Sequence, residues 1–356
     1  MAIPTRWGFS LTAEDLGPRV LAEQAARAEH LGYTDVWNAE SGNLDGLSSI
    51  MAAVGTTRHV QLGTAILSVY SRTPFSMAMS AATIQDLSSG RYHLGIGSSS
   101  RRITERWHGV EFTRPLTRVR EYLEVIQALL DGETVSFEGQ TVSLPRARLG
   151  HQPTDRVPVW IAALGPRMLE LAGTSADGVI LGFMGPGGAS ELIPIARDAA
   201  RGRDSSFHVS HRILVPYPGD DEVSLSAARR LLSGYSTVAE YRRMFERIGF
   251  AAEIDRVRQA FESGDREAAA QAVSDDLLDE LFVLGSREEQ FQRICAYHDA
   301  GVDVPILLYE PGPRPPDERR ELIEDAMTWF GERWQQAWQE PSLKGGTLDG
   351  GGRPSA

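Results

Sequence analysis

We predict that the chain folds as one (β/α)8 barrel, the TIM barrel class, in which parallel strands alternate with helices around a closed ring. Three observations support this class. The segment from Gln61 to Gly97 follows the order strand, helix, strand, which is the right-handed unit that joins parallel strands. Short apolar segments recur along the chain, mostly with helical patterns between them. The length of 356 residues suits one barrel with insertions. A doubly wound open sheet is the alternative, and the even alternation favours the barrel.

The segment from Gln61 to Gly97 has a local signal at each joint. Gln61–Ile66 is a run of small and branched apolar residues, as expected of a buried parallel strand. Pro74 begins a helix at its first turn, where a missing N–H costs nothing, and Ser88-Ser89-Gly90 ends it. Tyr92–Ile96 is the next buried strand.

The other elements follow from the same patterns. Apolar runs predict the strands Trp7–Ser10, Thr34–Ala39, Gln61–Ile66, Tyr92–Ile96, Val157–Ala163, Gly178–Leu181, His208–Pro216 and Val304–Leu308. Helical spacing predicts the helices Leu16–Leu31, Leu44–Thr57, Pro74–Leu87, Ile103–Val110, Arg118–Leu130, Arg167–Ala172, Ala189–Ala200, Arg287–Ala300 and Asp317–Gln339.

Two excursions interrupt the alternation. Residues 111–156, between the fourth and fifth strands, include a hairpin around Glu138-Gly139. Residues 222–281, between the seventh and eighth strands, are almost entirely helical in pattern. We expect residues 1–340 to form a single domain. The Gly-rich residues 341–356 are expected to be a disordered tail.

Composition excludes several classes of function. The net charge is −12 without a basic block, which argues against nucleic acid as a partner. No secretion signal or membrane-length apolar window is present, so we expect a cytoplasmic protein that does not enter the membrane and acts on a small organic molecule. A homodimer is a further expectation. The single cysteine, Cys295, lies in a helical pattern and is read as a buried thiol. The histidines lack the spacing of metal ligands, so no metal is expected.

In a barrel the chemistry lies at the carboxyl ends of the strands. Gly97–Ser100 and Ala163–Arg167 are such loops, and both offer hydrogen-bond donors at a helix N-terminus. They are read either as tight strand–helix turns or as the two halves of a site for a phosphate-bearing cofactor. Because they follow adjacent strands, we favour the second interpretation.

The segments LGTAIL, YSRTP and AATIQDLSSGRYHLGIG closely resemble the bacterial luciferase-like flavin and deazaflavin oxidoreductases, a superfamily of (β/α)8 barrels. The resemblance implies that a flavin-type ring lies over a bulge after the third strand, with a non-prolyl cis peptide at Ala65–Ile66. It also implies residues along the cofactor's phosphate tail and beside its ring, namely Gly97, Ser98, Ser99, Leu164, Gly165, Pro166, Arg167, Phe183 and Met184.

The segment GYTDVWNAES looks like the deazaflavin branch, where this strand ends in an acidic residue that is often followed by histidine. Glu40 matches the acidic position. Ser41 stands where the alcohol and sugar-phosphate dehydrogenases of that branch carry a histidine general base. The resemblance therefore implies coenzyme F420 first and FMN second. It implies hydride transfer to an activated C=C or C=N bond rather than alcohol oxidation.

Several side chains are candidates for the chemistry. Glu40 is read as a cofactor contact and proton donor, or alternatively as a salt-bridged carboxylate. His108 is read as an acid or as a structural histidine. Phe9, Ser41, Tyr70 and Trp107 are candidate substrate contacts. An FMN-dependent monooxygenase and a flavin- or deazaflavin-binding protein without turnover are the alternative functions.

Overall fold

The fold is a closed barrel of parallel strands, which confirms the predicted class. The computed structural model describes residues 2–12, 16–40, 42, 44–203, 206–219 and 221–339. Around the ring the strands follow the order β1, β2, β3, β5, β8, β9, β10 and β11, and β11 pairs with β1 in register Gly8 to Ile306. The pairing of β3 with β5, Leu62 opposite Tyr92, completes the closure.

The strand bounds agree closely with the apolar runs. The strands are β1 (Gly8–Ser10), β2 (Asp35–Asn38), β3 (Gln61–Thr64), β4 (Leu67–Ser68), β5 (Tyr92–Gly97), β6 (Val135–Glu138), β7 (Ser143–Ala147), β8 (Val159–Ala162), β9 (Gly178–Gly182), β10 (His208–Pro216) and β11 (Val304–Glu310). Only the third predicted strand is divided in two, into β3 and β4.

The helices cover the outside of the barrel and its carboxyl end. They are α1 (Arg19–His30), α2 (Gly46–Thr56), α3 (Pro74–Leu87), α4 (Arg101–Arg106), α5 (Pro115–Leu130), α6 (Pro166–Ser175), α7 (Pro186–Ala199), α8 (Glu222–Tyr235), α9 (Ala239–Phe245), α10 (Ala251–Glu262), α11 (Arg266–Gln271), α12 (Asp275–Leu281), α13 (Arg287–Asp299) and α14 (Pro316–Gln339). A π-helical turn, Glu246–Phe250, joins α9 to α10.

Both predicted excursions are present. The hairpin of β6 and β7 is antiparallel, and its turn is held by the carboxylate of Glu121, which accepts hydrogen bonds from the backbone N–H groups of Gln140, Thr141 and Val142. The second excursion is helical, as predicted, and consists of α8 to α12. It returns to the barrel where the N–H of Val283 bonds to the carbonyl of Leu214 on β10, which places these helices against the carboxyl end of the barrel.

Aromatic side chains fill the amino-terminal half of the barrel interior. The rings of Trp37 and Trp160 lie 5.3 Å apart, and His93 lies 6.0 Å from Trp37. Burial lowers the pKa of His93 to about 3, so the ring is neutral and belongs to the packed layers of the barrel. By the barrel rule, the candidate site is therefore sought at the opposite, carboxyl end.

In the described part of the chain, no helix is both long and apolar enough to cross a bilayer. Cys295 is buried in α13, and burial raises the pKa of its thiol to about 12, so the thiol stays protonated at neutral pH. The expected tail, 341–356, lies outside the described residues.

Candidate active site

The third barrel strand is interrupted at the carboxyl end of the barrel. The peptide bond between Ala65 and Ile66 is cis, at the position that the sequence predicted. β3 ends at Thr64 before this bond, and the chain then pairs again with β5 as β4, with Leu67 opposite Ile96. The interruption gives the barrel a bulge at this edge.

Two glycines of β5 make room for the bulge. A Cβ atom on Gly95 would lie 1.8 Å from the carbonyl oxygen of Thr64, which no side chain can accommodate. A Cβ atom on Gly97 would lie 3.1 Å from both Ala162 Cβ and Ile66 Cγ1. The sequence Gly95-Ile96-Gly97 is therefore a packing requirement of the bulge, and Gly97 supports the floor of the site from below.

A cavity of about 410 Å³ lies over this bulge, and we call it the bulge cavity. It is lined by most of the residues that the sequence assigned to the cofactor: Ala65, Ile66, Ser98, Ser99, Leu164, Gly165, Pro166, Arg167 and Phe183. The helical excursion contributes Tyr241, Arg243 and Arg247 to its wall, and the start of α5 contributes Pro115 and Leu116. The structure thus brings the two predicted loops together at one cavity.

The rim of the bulge cavity suits an anionic group. Pro166, the first residue of α6, has no N–H, and the N–H of Met168 bonds to the carbonyl of Gly165, so in this first turn the N–H of Arg167 remains for a ligand among the described residues. A Cβ atom on Gly165 would point into open space. Arg167 is exposed beside this turn, and Arg247 reaches across from the π-helical turn to donate to the carbonyl of Leu164 at 3.4 Å.

A second cavity of about 510 Å³ adjoins the first, and we call it the α8 cavity. The barrel contributes Asn38, Ala39, Leu308 and Glu310 to its wall, and α8 contributes Arg230, Leu231, Gly234 and Tyr235. Trp107, a predicted substrate contact, lines it with a side chain that is 54% exposed. The Trp107 ring packs against Gly42, and a Cβ atom on Gly42 would lie only 2.3 Å from Cζ3 of that ring.

Phe183 and Arg212 line both cavities and form the partition between them. Phe183 has a left-handed backbone, with φ of 59°, which directs its ring across the mouth at the end of β9. The ring lies 4.3 Å from that of Tyr235 and 4.8 Å from that of Tyr241. An aromatic cluster from the barrel and the helical excursion therefore separates the two cavities.

Several buried donors at this end of the barrel have no hydrogen-bond partner among the described residues. They include Nε of Arg212, Nδ2 of Asn38 and Oγ of Ser10. Burial lowers the pKa of Arg212, and attraction by Tyr235, Tyr241 and Glu310 opposes that shift. The guanidinium nevertheless remains charged at neutral pH. Because a buried donor without a partner is costly, these atoms are suited to meet a bound molecule.

Glu40 is engaged with protein groups rather than directed into a cavity. Its Oε1 accepts from Arg72 Nη1 at 2.6 Å, and its Oε2 accepts from the N–H of Gly46 at 3.0 Å. Arg72 also pairs with Asp45, which caps α2. The salt-bridged alternative from the sequence therefore describes the geometry of Glu40, and its proton-donor role stays a prediction.

Other predicted contacts are placed away from the cavities. His108 is exposed after α4 and lines neither cavity. Phe9 is buried, with its ring 5.9 Å from that of Tyr309. Tyr70 is buried too, and its hydroxyl donates to the carbonyl of Thr113 at 2.6 Å. Met184 is buried and lines neither cavity.

Ser41 lies outside the described residues. Of the unpredicted residues, Arg212 had a recognisable signal. It lies within β10 between His211 and Ile213, which are both buried on the outer side of the barrel, so alternation directs Arg212 inward. A charged residue at an inward position near the carboxyl end of a barrel strand is itself a functional indication. Tyr235 and Tyr241 had no such signal within their uniform helical pattern.

Comparisons with known proteins agree with this geometry. The profile of the luciferase-like monooxygenase family matches residues 1–304. An F420-dependent glucose-6-phosphate dehydrogenase of Nocardia farcinica is 30% identical over 336 residues, which cover 88% of this chain and 94% of that protein.

Two solved structures share the fold. The coenzyme F420-dependent tetrahydromethanopterin reductase of Methanopyrus kandleri has a TM-score of 0.76 at 23% identity and covers 93% of this chain and 98% of its own. A type II Baeyer–Villiger monooxygenase of Pseudomonas putida in complex with FMN has a TM-score of 0.64 at 16% identity and covers 93% of this chain and 97% of its own.

Proposed function

Because the chain belongs to the luciferase-like monooxygenase family, we propose that it is an oxidoreductase that binds coenzyme F420 in the bulge cavity and acts on an organic substrate in the α8 cavity. The observation that carries this proposal is the cavity at the carboxyl end of the barrel, which is lined by both of the loops that the sequence predicted for a cofactor, Ser98-Ser99 and Leu164–Arg167. Relatives whose names include F420 support the choice of cofactor.

The residues of the bulge cavity fit a ring with a phosphate-bearing tail. Ala65 and Ile66 line the cavity on the side where the ring would lie. Ser98 and Ser99 add hydroxyl and N–H donors, and the start of α6 with Arg167 adds positive charge for a phosphate. The left-handed backbone of Ser99, with φ of 55°, turns this loop toward the cavity.

When bound, F420 supplies a carbon-centred hydride donor or acceptor, and it does not activate oxygen as flavins do. The protein's own contribution is position and exclusion of water. The rings of Phe183, Tyr235 and Tyr241 pack together between the two cavities. A substrate in the α8 cavity would therefore lie next to a cofactor ring in the bulge cavity. Arg212, at this partition, stabilises negative charge that develops on a substrate oxygen.

The proposed reaction is the reduction of an activated C=C or C=N bond. It is preferred to alcohol oxidation because Ser41 occupies the position at which related alcohol dehydrogenases carry a histidine base. The FMN monooxygenase alternative retains support from the FMN-bound structural neighbour, whose structural similarity is lower than that of the F420-dependent reductase.

Cofactor titration tests the proposal. The purified protein is titrated with F420 and with FMN, and binding is followed by the quenching of cofactor fluorescence. We expect F420 to bind at least ten times more tightly, a difference of about 1.4 kcal/mol. Equal affinities, or FMN that remains bound through purification, would favour the monooxygenase. Oxidation of reduced F420 by a panel of enones and imines then separates an enzyme from a binding protein without turnover.

A further inference from the structure

The α8 cavity has an unusual distribution of charge at its boundary. Three arginines line it, Arg102 and Arg230 toward its mouth and Arg212 at its inner end, whereas Glu310 is its one acidic lining residue among those described. Arg230 is partly committed, since it donates to the hydroxyl of Ser226 at 2.6 Å. The rim is therefore positive, whereas at the inner end the charge of Glu310 acts on Arg212.

Arg212 differs from the rim arginines in its surroundings. Arg102 is exposed to solvent, whereas Arg212 is half-buried and lines the cavity together with Phe183 and Tyr235, and its buried Nε has no hydrogen-bond partner in the described part of the chain. Charge-assisted contacts are stronger where water is excluded. A ligand that gives Arg212 an anionic partner would thus satisfy a donor that the protein leaves unpaired.

Much of the remaining wall is apolar. Leu214, Leu231 and Leu308 line the cavity together with the rings of Trp107 and Tyr235, and the other polar lining residues are Thr12, Asn38 and Ser100. The aliphatic and aromatic part of this wall suits a hydrocarbon or aromatic body.

We propose that the substrate of the α8 cavity is an aromatic or alicyclic carboxylate, and that Arg212 determines this specificity by binding the carboxylate at the partition. This inference deepens the proposed function, on which it rests, by assigning a substrate class to the same site. A carboxylate matches the planar fork of a guanidinium, with one oxygen for Nε and one for a terminal nitrogen. Arg212 would hold the acid end of the substrate beside the ring site.

The test compares two probes of nearly the same shape, hydrocinnamate and its neutral amide, hydrocinnamamide. Their affinities for the full chain are measured by calorimetry in the absence of F420. We expect hydrocinnamate to bind at least tenfold more tightly than the amide. In Arg212→Gln the affinity ratio should fall to within twofold of unity, because only the anion loses its partner. In Arg212→Lys a ratio of about threefold should remain, since the charge is kept and the bidentate fork is lost.

Arg201→Gln is the control. It removes an exposed arginine that lines neither cavity, so the ratio should stay within twofold of the wild-type value. Equal binding of the two probes to the wild type would overturn the carboxylate class, and an unchanged ratio in Arg212→Gln would overturn the role of Arg212. If Arg212→Gln does not fold, the wild-type ratio and Arg212→Lys decide, and an unchanged ratio in Arg212→Lys then counts against the proposal.

The two proposals fail separately. A protein that prefers hydrocinnamate but does not bind F420 would refute the proposed function and keep the anion site. A protein that binds F420 but does not distinguish the probes would refute the carboxylate class alone.

Discussion

The two cavities at the mouth of the barrel differ in what builds them. The bulge cavity is formed mainly by strand ends and the short loops after them, such as Ser98-Ser99 and Leu164–Arg167. Both cavities also take part of their wall from the helical excursion, the α8 cavity mainly from α8 and the bulge cavity from α9 and the π-helical turn. In the function that we propose, the loops of the barrel would hold the cofactor and α8 would contact the substrate.

The division is testable because most lining residues belong to one cavity only. Gly165 lies in the bulge cavity, and Trp107 lies in the α8 cavity. Only Phe183 and Arg212 belong to both. A substitution at an unshared residue should affect one ligand and leave the other unchanged.

The largest effect is expected for Gly165→Val. The backbone of Gly165 is extended, with φ of −142°, so valine fits there without strain, but its side chain would project into the space above the loop. We expect F420 affinity to fall at least a hundredfold, about 2.7 kcal/mol, because the tail is denied contact with the start of α6. Fluorescence titration measures this loss, and the affinity for hydrocinnamate should stay within twofold.

Gly150→Val is the control for this substitution. A Cβ atom on Gly150 also points into open space, but the residue lies on an exposed surface loop and lines neither cavity. Both variants should melt within a few degrees of the wild type. If Gly165→Val binds F420 normally, the loop is an ordinary turn and the bulge cavity is not the tail site.

The bulge cavity was largely predictable from the sequence, and the α8 cavity was not. Ala65, Ser98 and Gly165 could be assigned to the bulge cavity because each lies just after a predicted strand, and because local motifs around them resemble the luciferase-like family. Tyr235 and Tyr241 meet Phe183 only because the helices α8 and α9 pack back over the barrel, and a helical pattern alone does not show which face packs where. Glu40 was identified at a strand end, but its ion pair depends on Arg72, which is distant in sequence.

The second prediction concerns the support behind both cavities. His211, next to Arg212 on β10, is buried, and the centre of its ring lies 4.8 Å from the centre of the Tyr297 ring. Burial lowers the pKa of His211 to about 3. Below its unfolded pKa of about 6.5 the unfolded chain binds a proton that the folded chain rejects, so stability falls as the pH decreases from 6.5 toward 3. At pH 5 this costs about 2 kcal/mol relative to pH 7.

Denaturant unfolding of His211→Gln at pH 7 and pH 5 measures this contribution. The drop in unfolding free energy between the two pH values should be smaller than in the wild type by about 2 kcal/mol. His108→Gln, which replaces an exposed histidine, should show the wild-type drop. If the fall in unfolding free energy from pH 7 to pH 5 is the same in His211→Gln as in the wild type, His211 does not reject a proton in the folded protein, and the prediction is wrong.

The smallest effect is expected for Glu40→Gln, a residue that lies behind both cavities. The N–H of Glu40 donates to the carbonyl of Ile66 at 3.4 Å, and its carboxylate holds Arg72 and the first turn of α2. The amide keeps the shape and loses the charge, while Arg72 retains Asp45. We therefore expect a loss of about 1 kcal/mol in unfolding free energy, since the pair is only partly shielded from water.

A double-mutant cycle with Arg72→Gln tests this interpretation, because the coupling energy isolates the pair from other effects of each change. Glu324→Gln, which breaks a more exposed pair with Arg320, is the control and should cost less than 0.5 kcal/mol, about the limit for surface pairs. Affinities for F420 and hydrocinnamate should both shift by less than threefold in Glu40→Gln, since the residue lines neither cavity. If stability is unchanged and only F420 binding is lost, Glu40 contacts the cofactor directly, and the boundary of the bulge cavity must be extended to include it.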